Sequence, residues 1–153
     1  MERKTRVYIA GKLNDMAVGY LHNVHKMMET AEEVRNVGFS VFIPAIDLLC
    51  GIKHGYNDYH EYFDNSQPWL MAADAVFLVP GWEDSEGTMK EIQVALKLGI
   101  PVYSDLTELI EAEINDEFQE AEVTWTKYDD DDKPTEEVLR IMDILKTGLL
   151  KAV

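Results

Sequence analysis

Five consecutive apolar residues, Ala75-Val-Phe-Leu-Val79, lie between Asp74 and the turn-forming pair Pro80-Gly81. No other feature constrains the fold as strongly. A strand with one wet face alternates apolar and polar residues; an unbroken run this short instead suits a central parallel strand covered on both faces. Such a strand needs helices on both sides of its sheet, and the rest of the chain to about residue 103 offers them.

Arg6-Val-Tyr-Ile-Ala10 reads as a first strand that ends in a turn at Gly11. From about Val18 to Val37 the spacing is helical, with Leu21, Val24, Met27, Met28, Ala31, Val34 and Val37 on the apolar face and Gly38 as the stop. Phe39 to Ile43 reads as a second strand closed by Pro44, and Asp47 to Asn57 as irregular chain. Tyr56 to Ala73 is partly helical. Pro68 suits the first turn of a short helix reaching Ala73, with Asn65 or Ser66 as its cap. After the apolar strand, Pro80 to Gly87 is a polar loop, Thr88 to Leu98 a helix stopped by Gly99, and Pro101 to Tyr103 the start of a fourth strand.

Strands alternating with helices predict an α/β fold, a single Rossmann- or flavodoxin-like parallel sheet flanked by helices. In such sheets ligands bind beyond the carboxyl ends of the strands. That rule gathers Gly11 to Asn14, Pro44 to Asp47 and Pro80 to Gly87 around one crevice. Further on, Leu106 to Phe118 reads as an acidic helix, Glu122 to Tyr128 as an edge strand and Asp129 to Lys133 as a solvated loop. Pro134 to about Lys151 reads as a final helix with Val138, Leu139, Ile141, Met142, Leu145 and Leu149 on one face. The expected organisation is one domain over 1–153, with a core at about 6–103 and a helical C-terminal extension over 104–153.

Composition narrows the function classes. The 153 residues carry 14 Lys and Arg against 29 Asp and Glu, a formal charge of -15. That balance argues against binding a nucleic acid polymer, which needs a basic face, but leaves room for a small anion held by backbone N–H groups. No apolar stretch approaches the ~20 residues of a membrane helix, and Met1 to Arg6 leads into no secretory h-region. Cys50 is the single cysteine, and His22, His25, His54 and His60 show no ligand spacing. The expectation is a cytoplasmic protein with no membrane contact, no metal and no cofactor.

The segment richest in chemistry is Pro80-Gly-Trp-Glu-Asp-Ser-Glu-Gly-Thr-Met-Lys-Glu91, where a polar loop enters a helix. Backbone N–H groups at a helix start can bind an anion or a sugar hydroxyl. Glu91 lies in the first or second turn, where the helix dipole favours the ionised carboxylate that a nucleophile needs. A glutamate there is also an ordinary helix-stabilising choice. Gly11 has a plain role as a turn residue, Tyr8 as core and Asp47 as a solvated loop residue. Tyr56, Tyr59, Tyr62, Phe63 and Trp69 form the densest aromatic stretch, suited to stacking a nucleobase or to packing a core.

Taken together, four segments resemble the nucleoside 2-deoxyribosyltransferase superfamily, in particular its small bacterial and phage branch. They are Val7-Tyr-Ile-Ala-Gly11, Trp69-Leu-Met-Ala-Ala-Asp74, and Val79 through Glu91 followed by Ala95-Leu-Lys-Leu-Gly-Ile-Pro-Val102. The likeness spans roughly residues 6 to 103. It implies cleavage or exchange of the N-glycosidic bond of a nucleoside or nucleoside 5′-monophosphate, with Glu91 attacking the anomeric carbon and Tyr8 orienting it. The resemblance places Ser85, six residues before Glu91, at the 5′ end of the sugar. Serine there marks the branch acting on 5′-monophosphates, because it donates to phosphate without like-charge repulsion. Gly11, Asp47, Trp82, Asp84 and Gly87 complete the expected substrate-binding set. The family's acid/base Asp stands eight residues before the Asp that opens the third strand. That count from Asp74 lands on Ser66; Asp64 is two residues earlier, and a local insertion at Pro68 would restore it as the candidate. The resemblance also implies a homo-oligomer, since neighbouring subunits complete the site in the family. Two other readings stand beside the enzyme: a non-catalytic nucleotide-binding or sensing module on the same fold, and an interaction domain whose acidic run Asp129 to Asp132 meets a basic partner.

Overall fold

Arg6–Ala10 forms β1, and every residue in it after Arg6 is buried. The computed structural model describes residues 3–46, 59–116 and 118. The expected edge strand at 122–128, the acidic loop after it and the final helix lie outside the described residues. β1 leads to helix α1 (Ala17–Asn36), strand β2 (Ser40–Phe42) and a short 3-10 turn at Pro44–Ile46. Next come α2 (Tyr59–Met71), β3 (Ala75–Leu78), a 3-10 turn at Trp82–Asp84, α3 (Glu86–Lys97), β4 (Val102–Tyr103) and α4 (Leu106–Ile114).

The four described strands form one sheet in the order β2-β1-β3-β4, with every neighbouring pair parallel. Alternation along β1 and β3 divides the core between the two faces. Tyr8, Ala10, Val76 and Leu78 pack with Leu70 and Met71 of α2 and with Ile92, Val94 and Ala95 of α3. Val7, Ile9, Ala75, Phe77 and Val79 pack with Val24, Met27, Ala31 and Val34 of α1 and with Leu109 of α4. The apolar run at 75–79 is buried for the reason its composition suggests: helices cover both of its sides.

β1 has β2 on one side and β3 on the other, so the crossovers leave it in opposite directions. The carboxyl ends of β1 and β3 therefore flank a topological switch point, the place where open α/β sheets bind ligands. The opposite end of the same strand pair is tied electrostatically. Asp74 accepts the backbone N–H of Arg6 and two guanidinium bonds from Arg6, and Arg3 reaches it at 2.6 Å. Burial by itself would raise the Asp74 carboxyl, but the Arg6 hydrogen bonds and the charges of Arg6 and Arg3 outweigh it and hold the group below its ordinary value.

Two helices differ from expectation. On α1 the inward face is Val24, Met27, Ala31 and Val34 with Thr30, while Leu21, Met28 and Val37 are exposed. Adjacent residues on a helix lie ~100° apart, so Met27 and Met28 cannot both face one sheet. On α2, Pro68 sits well inside the helix rather than at a first turn, and neither Asn65 nor Ser66 is a cap. Proline there removes the N–H that would bond the Asp64 carbonyl. Nearby, the Ser66 hydroxyl donates to the Phe63 carbonyl at 3.2 Å, and Leu70 and Met71 anchor the last turn in the core.

Gly11 is buried where β1 meets β3. A Cβ added to it would stand 2.6 Å from the Cβ of Val79, tighter than any relaxed contact. Replacing Gly11 by Ala is expected to destabilise the protein by about 1–3 kcal/mol, the usual cost of overpacking a core. Denaturant unfolding of the two proteins checks it, and equal midpoints and slopes would refute it.

Candidate active site

Tyr8 points from the central strand toward α3, and Glu91 points from α3 back to it. The phenol O–H donates to the Glu91 Oε1 at 2.6 Å, joining residues 83 apart in sequence. Tyr8 is fully buried, and Glu91 is 8% exposed. Tyr8 packs with Ala10, Leu78, Trp82 and Ile92 on the α2–α3 face of the sheet, and Glu91 meets it there from α3.

The enclosure decides the charge on Glu91. Burial raises its carboxyl to about 7 from an ordinary 4.5, and the Tyr8 hydrogen bond pulls in the opposite direction without prevailing. By its place in the sequence alone, Glu91 is expected to be kept ionised by the helix dipole. Desolvation overrides it: Glu91 is the sixth residue of α3, and the dipole's influence fades within the first turn. At neutral pH the group therefore divides between carboxylic acid and carboxylate, and small changes around it move that balance.

Tyr8 also begins an aromatic stack. Its ring lies 5.8 Å from that of Phe42, and Phe42 lies 5.1 Å from Trp69 with the planes 13° apart. Trp69 is 55% exposed, so one face rests on Phe42 and much of the ring meets water. Phe42 was not singled out in the sequence; its place at the end of a predicted strand gave no sign that it would bridge Tyr8 and Trp69. Of the other expected aromatics, Phe63 packs against the core, Tyr62 is half-buried, and the side chains of Tyr56 and Tyr59 lie outside the description.

The loop after β3 is shaped by its own turns. Gly81 adopts φ 89°, a conformation that strains residues with a Cβ, and starts the 3-10 turn. Trp82, an expected substrate contact, is 3% exposed and packs into the core beneath the loop. Asp84 is exposed at the end of that turn. Ser85 caps α3: its Oγ accepts the Thr88 backbone N–H at 3.2 Å and the Thr88 hydroxyl at 2.9 Å. Gly87 is the second residue of α3 and is half-buried. Thr88 carries no signal of its own in the sequence, since the capping box that would flag this position calls for Glu or Gln.

The acid/base candidates fall differently. Ser66 is buried on α2, with its hydroxyl engaged by the Phe63 carbonyl. Asp64, two residues away and so ~200° around the helix, is exposed, and no hydrogen bond joins it to Glu91. Asp47 lies outside the described residues. Among the described residues no group of three or more His, Cys, Asp or Glu is gathered as a metal would need, and no helix is long and apolar enough to cross a membrane.

A carboxyl that titrates near 7 when folded and near 4.5 when unfolded makes stability depend on pH. Between those values the folded chain keeps a proton that the unfolded chain releases. Stability is therefore highest below about pH 4.5 and falls as pH rises through 7, by about 3 kcal/mol from this group. Glu91→Gln keeps the shape and an acceptor for Tyr8. It is expected to match the parent at low pH and to be more stable by about that amount at pH 8, read from denaturant unfolding at both pH values. An equal gap at both would contradict the assignment.

Comparison with known proteins agrees with the architecture. The solved structure of a 2-deoxyribosyltransferase from the psychrotolerant bacterium Bacillus psychrosaccharolyticus matches with a TM-score of 0.50 at 22% identity, covering 69% of this chain and 90% of that one. At that identity the likeness establishes a shared α/β fold. No curated protein matches the chain. The family model described as a domain of unknown function, DUF4406, matches residues 5–104, which contain the four described strands and both members of the Tyr8–Glu91 pair, and the chain belongs to that family.

Proposed function

We propose that the protein cleaves or exchanges the N-glycosidic bond of a nucleoside or nucleoside 5′-monophosphate, with Glu91 as nucleophile. The observation that carries this reading is the buried Tyr8–Glu91 hydrogen bond at the switch point of the sheet. A carboxyl held inside an apolar wall costs stability, and such groups gather where chemistry uses them. The fold shared with a 2-deoxyribosyltransferase and the resemblance of the 79–91 segment supply the reaction class.

In the proposed reaction the Glu91 carboxylate attacks C1′ of the sugar. The C1′–N bond breaks, its electron pair leaves with the base, and the base takes up a proton. The glycosyl ester on Glu91 then yields to water, giving hydrolysis, or to a second base, giving exchange. Tyr8 holds the carboxylate by its free-energy preference for the charged acceptor and fixes which oxygen faces the sugar. Ser85 and the N–H groups at the start of α3, with Gly87 and Asp84 beside them, receive the 5′ end of the sugar, and Gly11 borders the opposite side. Trp82 supports the loop from below. Asp64 is the proposed proton source for the leaving base. A second subunit completing the crevice is part of the same proposal.

Base release from a panel of nucleosides and 5′-monophosphates, followed by chromatography, tests the reading. Release is expected to vanish in Glu91→Ala. Below a pH near 7 the nucleophile carries a proton, so kcat/KM is expected to climb tenfold per pH unit on the acid side and level off above about 7. Tyr8→Phe removes the bond that favours the carboxylate, so its acid limb is expected to move to higher pH. Full activity in Glu91→Ala, or an acid limb that Tyr8→Phe leaves in place, would rule out the assigned roles. The non-catalytic alternative predicts nucleotide-dependent thermal stabilisation with no base released from any member of the panel.

A further inference from the structure

Helix α1 buries only one side of its apolar surface. Val24, Met27, Ala31 and Val34 meet the sheet, while Val18 is 82% exposed, Leu21 56% and Met28 55%. At ~100° per residue, Val18, Leu21, His25, Met28 and Glu32 fall within an arc of ~80°. Their alternating steps of three and four residues are those of a seam between two paired helices. Apolar side chains exposed singly need no explanation, but a row of them along one helix marks a contact surface.

A charged row runs beside the apolar one. His22, Lys26, Glu29 and Glu33 are all exposed, and steps of four, three and four residues keep them on one stripe. The row is basic toward the amino end of α1 and acidic toward its carboxyl end. That polarity selects the occupant. Two copies of α1 laid antiparallel with their ends level set Lys26 against the partner's Glu29 and His22 against the partner's Glu33. Two-fold symmetry then repeats both contacts. Parallel pairing would oppose each charge with its own copy, and a uniformly acidic or basic partner would match only half of the row. Glu29 also meets His25 of its own helix at 3.4 Å, and a carboxylate has acceptor sites for both. Over its length α1 sets Lys26 and Arg35 against Glu29, Glu32 and Glu33, nearly balanced in a chain of formal charge -15. Two copies therefore approach along it with little of the repulsion that the rest of the chain imposes.

We propose that the protein forms a two-fold dimer by antiparallel pairing of α1 with α1 of a second copy. Val18, Leu21 and Met28 supply the apolar contact, and the charged row sets the direction. Exposed ion pairs contribute little affinity but fix orientation. A contact along one helix ~30 Å long is small for an interface, so the dimer is expected to dissociate in the micromolar range. α1 packs on the face of the sheet opposite Tyr8, so the inference stands apart from the glycosidic reading.

Sedimentation of the full chain over a concentration series tests it, with no substrate and no turnover. The parent is expected to pass from monomer to dimer. Leu21→Glu combined with Met28→Glu is expected to weaken the dimer by at least about a hundredfold, since symmetry counts each change twice. Both residues are exposed and glutamate is a good helix former, so the fold is expected to hold by circular dichroism. Lys26→Glu and Glu29→Lys are each expected to weaken self-association about tenfold, and an equimolar mixture of the two to recover it. General loosening of α1 would not be rescued by mixing, and these two proteins carry the test if the double variant does not fold. The inference is overturned by a parent that stays monomeric up to millimolar concentration. A monomer that the double variant destabilises would likewise overturn it and assign the cover of α1 to the chain's own residues. A dimer that the double variant leaves intact, or charge variants that mixing does not rescue, would overturn it as well. Loss of base release in Glu91→Ala bears on none of these outcomes, and dimerisation through α1 leaves the glycosidic reading to its own test.

Discussion

A carboxyl group shut inside an apolar core is the costly element of this protein, and the Tyr8 phenol is what makes it tolerable. The bond between Tyr8 and Glu91 links the central strand to the helix after β3. It requires β1 in the middle of the sheet, α3 packed on one face, and the two side chains level with each other. Each of these follows from the burial pattern of β1 and β3.

The two ends of the β1–β3 pair are built for different tasks. At the amino end, Asp74 gathers Arg3 and Arg6 into a charged clasp that fixes how the strands enter the sheet. At the carboxyl end there is no such clasp among the described residues; there are the buried Gly11, the left-handed turn at Gly81 and the capped start of α3. A rigid base with polar loops at the opposite rim is the usual division of labour between scaffold and site. The Tyr8–Phe42–Trp69 stack extends it sideways, running from the buried strand to an aromatic ring in contact with water.

Much of the scaffold was legible in the sequence because its strands are short apolar runs closed by Gly or Pro. β1 at Arg6–Ala10 and β3 at Ala75–Leu78 coincide with their readings nearly to the residue. The stops at Gly38 and Gly99 hold as well, both at positive φ. The failures have a common cause. Leu21 and Met28 share a helical period with the core positions of α1, yet a single sheet covers too narrow an arc of that helix to bury them. Pro68 reads as a helix start by local preference, but the anchoring of Leu70 and Met71 carries α2 through it. Local rules describe each segment in isolation, and packing decides between the options they leave open.

By itself the sequence determined that this chain forms a parallel α/β sheet and that the segment from Pro80 to Glu91 follows the carboxyl end of a buried strand, because hydrophobic period and turn chemistry are local properties. Only the tertiary structure decided what Glu91 is. Its position in the chain suggested a carboxylate kept ionised by a helix terminus; its surroundings make it a carboxyl that titrates near neutrality. It likewise decided that Trp82 lies beneath the loop, that Asp64 faces away from the core while Ser66 faces in, and that the Thr88 and Ser85 hydroxyls meet at the start of α3. Burial and partnership depend on residues distant in sequence, and no local pattern encodes the loss of water that sets a group's charge.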